Sequence, residues 1–173
     1  MPTPTAPSTT QEVQEAARET MGFLPNLIEE LSEHNPAAAR LYLATTDLIE
    51  DGHLTDSERE VVFLAVSRYN DCHYCTSIHG KKAIAAGLAR ETVDTINSGG
   101  LPSEDRLRVL VQATRLLLDK RGWLDDEDLD GLQAKGVGRA ELFEINAIIG
   151  IKTFSNYVNH VAQTEVDAEF EMD

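Results

Sequence analysis

The stretch Thr55-Asp56-Ser57-Glu58-Arg59-Glu60-Val61-Val62-Phe63-Leu64-Ala65-Val66-Ser67-Arg68-Tyr69-Asn70-Asp71-Cys72-His73-Tyr74-Cys75-Thr76-Ser77-Ile78-His79 decides the fold. Thr55 and Glu58 stand at capping-box spacing, each side chain able to serve the other's backbone donor, so a helix opens there. Its run Val61 to Val66 is apolar almost all round rather than alternating, which marks a central, buried helix and not a half-exposed strand. Asn70-Asp71 then makes a short turn into a second helix over residues 71–86, stopped by Gly87. Two helices joined by so short a turn pack as neighbours.

The pattern stays helical in both directions. Upstream, a short polar helix spans 12–21 and ends at Gly22, and Pro25 opens another that runs to His34. Asn35-Pro36 stops it, and Pro36 suits the first turn of a third helix carrying Ala39, Leu41, Tyr42, Leu43 and Leu48. Downstream lie helices over 90–97, 104–121 (Leu107, Leu110, Val111, Leu116, Leu117, Leu118), 125–135 with an acidic front at its positive dipole end, and 139–165. No internal repeat or linker interrupts them. The expectation is one all-α domain, a bundle of about seven or eight helices over residues 11–166. A loose Pro/Thr/Ser-rich tail precedes it (1–10) and an acidic, frayed tail follows it (167–173).

Composition bounds the function. The 173 residues carry a formal charge of −15, which argues against nucleic acid and against an anionic membrane surface. No apolar run reaches the roughly 20 residues a bilayer requires, and the first residues lack the basic and apolar regions of a secretory signal. Two cysteines are too few for a secreted disulfide framework, so the expected location is cytoplasmic. Trp123, after Gly122 between helices, reads as an anchoring core residue. The cluster Asp125, Asp126, Glu127, Asp128 reads as helix-start chemistry, since a calcium loop needs other spacing and a glycine.

The two cysteines carry the chemistry. Cys72 and Cys75 are three residues apart and His79 is four further on, so on a helix all three fall on one stripe. Thiols at this spacing can cycle between dithiol and disulfide while the imidazole moves a proton. The helix dipole favours Cys72 as the more acidic thiol; the proximity of His79 favours Cys75. Glu60, taken alone, reads as a solvated face residue, because Glu is mostly exposed. The packing of the two helices could instead bring it to the Cys75/His79 stripe.

Glu60, then eleven residues, Cys72-His73-Tyr74-Cys75, three residues and His79 together resemble the signature of the alkylhydroperoxidase D-like (AhpD-like) proteins of the carboxymuconolactone decarboxylase superfamily. Gly22-Phe23-Leu24-Pro25-Asn26, Gly87-Leu88 and Lys152-Thr153-Phe154-Ser155-Asn156-Tyr157-Val158-Asn159-His160 are similar to the family's peroxidase-related branch. The resemblance implies an all-α fold, homo-oligomers built as trimers or their multiples, and thiol-dependent reduction of hydroperoxides with no bound cofactor. It implies that Glu60 and His79 relay a proton from Cys75 and that Cys75 attacks the peroxide. Cys72 then resolves the sulfenic acid as a disulfide, which a lipoyl-bearing or thioredoxin-like partner reduces. The best-studied branch has a His directly before the second cysteine. Here that residue is Tyr74, and the additional histidine is His73; both are candidates for a supporting role beside the pair.

Three other readings compete. The thiol pair could serve a non-catalytic redox sensor or interaction subunit. Cys72, Cys75 and His79 with Glu60 or His73 could hold zinc, but structural zinc sites draw on two separated clusters and the chain has no second CxxC or HxxxH. Lactone decarboxylation is disfavoured because the superfamily's decarboxylases work without a cysteine pair. His160 could line the pocket or a subunit contact, with a satisfied helix histidine as the plainer reading. His34 and His53 lie near helix ends, where dipole or solvent suffices.

Overall fold

A computed structural model describes residues 9–171. Among them are nine α-helices, somewhat more than the seven or eight expected, and no strand: α1 (Thr10–Met21), α2 (Asn26–His34), α3 (Pro36–Leu48), α4 (Asp56–Tyr69), α5 (His73–Ala85), α6 (Arg90–Asn97), α7 (Asp105–Lys120), α8 (Asp126–Ala134) and α9 (Arg139–Ala162). Single 3₁₀ turns occur at Ile49–Asp51 and Ala168–Phe170.

The central helix is α4. Its capping box forms, Thr55 accepting from the Glu58 amide and Glu58 from the Thr55 amide. Val61 through Val66 are all buried, and α4 packs against α5, α6, α7 and α9. Each large apolar side chain so buried favours the folded state by roughly 1.5–3 kcal/mol over an exposed one. Two apolar clusters result. The larger joins α4 to Leu110 and Val111 of α7 and Ile145 and Ile148 of α9. The smaller gathers Val13, Leu27, Ile28 and Ala39 from α1 to α3 around Cys72, Tyr74 and Cys75. The seam between the clusters is where α4 and α5 meet.

Five local expectations are corrected. The redox helix starts at His73 rather than Asp71, because Asp71 takes a left-handed conformation (φ 59°) that ends helical continuity and leaves Cys72 as the N-cap. The final helix stops at Ala162, where Gln163 turns left-handed (φ 54°). Trp123 is 84% exposed: after Arg121 and Gly122, both at positive φ, the connector points Trp123 outward and tucks Leu124 against the core instead.

Residues 167–171 of the acidic terminal segment are docked rather than frayed. Asp167 is buried, accepting from the Asn26 amide at 2.9 Å and the Tyr74 hydroxyl at 2.7 Å, and Phe170 packs on Phe23 with ring centroids 5.5 Å apart. At the other end, Thr9 caps α1 and Thr10 begins it, so those two residues are not tail. Residues 1–8 of the expected N-terminal tail, and residues 172–173, lie outside the described residues. Among the described residues no helix is long and apolar enough to cross a membrane.

Candidate functional site

The α4–α5 turn sets the site. The Asp71 amide donates to Arg68 O and the Cys72 amide to Ser67 O, closing the turn tightly. Cys75 consequently sits one turn into α5, at the positive end of its dipole. Cys72 and Cys75 are free thiols, each 1% exposed. Four residues on, His79 is buried and stacks on Phe63 of α4, with centroids 4.6 Å apart and planes at 16°. Glu60, one turn before Phe63, meets His79 Nδ1 at 2.7 Å. The packing of α4 on α5 therefore brings together the four residues singled out in the sequence.

Charge is distributed unequally over them. Cys75 is pulled down to about 4, first by the Cys72 thiol donating to its sulfur, against the opposing effect of burial, and then by Lys152, His79 and Asn156. Cys72 is pushed up by the same hydrogen bond, by burial and by the neighbouring negative sulfur. These opposite directions favour the negative charge on Cys75 and the proton on Cys72. Burial and Lys152 push His79 below its ordinary value, outweighing Glu60, so the ring is neutral. Burial pushes Glu60 up, but His79, Lys82 and Lys152 together hold it lower, so it is ionised. An ionised carboxylate only accepts; Nδ1 therefore carries the imidazole proton and Nε2 is left basic.

The residues not singled out as site residues come from α9. Lys152 is 1% exposed, with its Nζ 5.9 Å from the Phe63 ring centroid. Burial pushes it down, but Cys75, Tyr42 and Cys72 push it further up, so it is a buried ammonium. Asn159 Nδ2 donates to Cys75 Sγ at 3.3 Å. Asn156 accepts from Asn70 at 2.9 Å and turns its amide nitrogen, which has no other partner, toward the same sulfur. A signal existed: Lys152, Asn156 and Asn159 continue, at spacings of four and three, the stripe of Ile145 and Ile148. Polar residues extending a buried apolar stripe must find partners inside.

A pocket of about 280 Å³ opens over this constellation. Cys75, His79, Glu60 and Lys152 line it, with an apolar wall that includes Tyr42, Ile78 and Phe170. Tyr74 does more than fill space, since its hydroxyl donates to Asp167 and accepts from the Leu27 amide at 3.3 Å. Burial and Asp167 push its ionisation far up, so it stays a neutral donor. His73 is exposed. His160 is exposed too, on the outer side of α9 beside Tyr157 (6.0 Å), and does not line the pocket. Among the described residues, no three His, Cys, Asp or Glu side chains are grouped to hold a metal ion.

Residues 36–115 match the model of the carboxymuconolactone decarboxylase family. That stretch contains Glu60, Cys72, Cys75 and His79 but ends before Lys152. No curated protein matches the chain. Solved structures share the fold along almost the whole length. The alkylhydroperoxidase AhpD core of a peroxidase-related protein from Ralstonia eutropha is 22% identical, with a TM-score of 0.82 over 96% of this chain and 92% of that one. A peroxidase-related protein from Silicibacter is 19% identical, with a TM-score of 0.79 over 97% and 90%. The debrominase Bmp8 is 22% identical, with a TM-score of 0.70 over 92% and 86%. The chain thus has the all-α, alkylhydroperoxidase D-like fold expected of it.

Proposed function

We propose that the chain is a thiol-dependent hydroperoxide reductase. The observation that carries this reading is the placement of the cysteine pair: Cys75 lines the pocket with Lys152 and His79 and accepts from Asn159 Nδ2 at 3.3 Å, with Cys72 buried three residues before it and the surrounding charges favouring a Cys75 thiolate. The thiolate attacks the terminal oxygen of ROOH and the O–O bond breaks. Cys75 becomes a sulfenic acid, and the alkoxide leaves with a proton taken up from the pocket. The Cys72 sulfur then displaces the sulfenic oxygen as water, forming the disulfide. The sum is ROOH plus one thiol, one thiolate and one proton giving ROH, water and a disulfide. His79, basic at Nε2 and held by Glu60, is the acid–base group for these transfers. A dithiol partner, lipoyl-bearing or thioredoxin-like, returns the two electrons.

The same proposal includes a cytoplasmic, reducing location and a homo-oligomer, a trimer or a multiple of it. The exposed apolar residues Phe143, Tyr157 and Val161 on α9 give such an assembly surface to cover. The test is consumption of cumene hydroperoxide with dihydrolipoamide, wild type beside Cys75→Ser. Many turnovers, lost in the variant, are expected. A single stoichiometric oxidation would favour a redox sensor instead. The debrominase Bmp8 shares the fold, and the aromatic walls Tyr42 and Phe63 would suit a halogenated ring. Bromide release from 2,3,4-tribromopyrrole, with the peroxide untouched, would replace the peroxide reading.

A further inference from the structure

The last described residues alternate acidic with apolar: Glu165, Val166, Asp167, Ala168, Glu169, Phe170, Glu171. Chain ends are usually loose unless something ties them down, and this one is tied at several points in succession. Gln163 turns left-handed and ends α9. Asn26 Nδ2 then donates to Glu165 O at 3.0 Å, the Asp167 carboxylate takes its bonds from the Asn26 amide and Tyr74, and Lys81 Nζ donates to Glu169 O at 2.6 Å. Val166 packs against the apolar cluster that holds both cysteines. The strap so formed delivers Phe170, half-buried, to the pocket wall, where its ring meets that of Phe23, another lining residue.

We infer that Phe170 is a specificity-determining residue: the strap holds its ring where it limits how bulky a molecule can be brought to Cys75. Three observations carry this. Cys75 and Phe170 line one cavity of about 280 Å³, roughly nine waters at ~30 Å³ each, so a single aromatic ring in its wall is a large part of what sets its capacity. Among the described residues Phe170 belongs to neither apolar cluster, so core packing does not demand its placement. The strap is fastened through Tyr74, the residue directly before Cys75, which fixes the wall to the reacting turn itself. The strap also lies outside residues 36–115, the stretch that matches the family and holds Glu60, Cys72, Cys75 and His79. Reacting groups and size limit thus come from different parts of the chain, and the substrate class selected is a hydroperoxide with a compact alkyl or single-ring body.

The inference deepens the peroxidase reading and rests on it for the peroxide, not for the size limit. The test alkylates the reduced protein with N-methylmaleimide and with N-(1-pyrenyl)maleimide, which share a reacting group and differ in bulk, and follows Cys75 by mass spectrometry. Phe170→Ala should raise the pyrenyl-to-methyl rate ratio by about tenfold or more, the discrimination an apolar wall exerts on size. Phe170→Trp, which enlarges the wall, should lower the ratio. General loosening of the fold raises the ratio in both variants, so a rise in both, or a ratio unmoved in either, overturns the inference. The kcat/KM ratio of cumene to tert-butyl hydroperoxide should follow the same order, Ala above wild type above Trp, and a peroxide ratio fixed across the three proteins overturns it too. If no protein consumes either peroxide, the peroxidase reading fails and the maleimide ratios alone decide the size limit.

Discussion

Replacing Lys152 with Met removes the buried ammonium and keeps an unbranched apolar stem of similar length. In the reduced protein the Cys75 thiolate and Lys152 face one another in a buried site. Unit charges ~4 Å apart attract by about 4 kcal/mol at an effective dielectric of ~20. With about a third of that returned as the desolvation that Lys152 itself no longer imposes, about 2.7 kcal/mol remains, or roughly two pH units. The Cys75 midpoint should therefore rise from about 4 to about 6. A thiolate two units more basic is also about eightfold more nucleophilic, for a Brønsted slope of ~0.45.

The two effects oppose each other. Iodoacetamide should alkylate the variant about sixfold more slowly than wild type at pH 4, equally fast near pH 5, and about eightfold faster at pH 8. The assay is the loss of the Cys75 thiol, followed by mass spectrometry across that range. A variant whose profile superimposes on wild type would refute the claim that Lys152 holds the thiolate.

Cys72 is the first cause of the low Cys75 midpoint, so Cys72→Ala should raise that midpoint as well, and a pH-dependent alkylation curve reads it. Glu60→Met removes the acceptor that fixes His79 Nδ1–H and should lower peroxide kcat by ~10²–10⁴ at pH 7, while rapid alkylation of Cys75 persists. Tyr74→Phe strips the Asp167 carboxylate of a 2.7 Å donor in a buried place and should cost about 1–3 kcal/mol in urea unfolding. Trp123→Ala should change stability by no more than ~0.5 kcal/mol, because the ring is exposed.

What the sequence made legible was what local rules govern. The capping box at Thr55 and Glu58, the all-round apolar face of α4, and the i, i+3 and i+4 spacing of the cysteines and His79 are short-range patterns, and they position the site. The default reading of Glu60 as a solvated residue gave way to packing, because the carboxylate reaches across from α4 to His79 on α5. Trp123 was misread for a related reason: ring size argues for burial, but the two positive-φ residues before it decide which way the side chain leaves the turn. The α9 stripe signals that Lys152 is buried but not what it meets, and nothing local marks Asp167, because their partners, Cys75 and Tyr74, lie 77 and 93 positions away. No periodicity within one helix reports a contact of that separation.

The charges also set how readily the pair gives up its disulfide. In the dithiol state the site holds a Cys75 anion opposite the Lys152 cation; in the disulfide state that anion is gone and Lys152 is buried without it. An uncompensated buried cation is costly, so oxidation is electrostatically uphill and the reduced form is favoured. A thiolate midpoint near 4 against an ordinary ~8.5 stabilises the reduced state at pH 7 by on the order of 4 kcal/mol, or roughly 90 mV at ~30 mV per 1.4 kcal/mol. The sign follows from the depressed midpoint: the contribution is complete above pH ~8.5 and lost as pH falls through about 4. The disulfide should therefore be a ready electron acceptor for a dithiol, as turnover with a lipoyl-type reductant requires. Equilibration with lipoate buffers reads this directly: the Lys152→Met potential should fall below that of wild type, and an equal or higher potential would show that the buried cation does not set the poise of the pair.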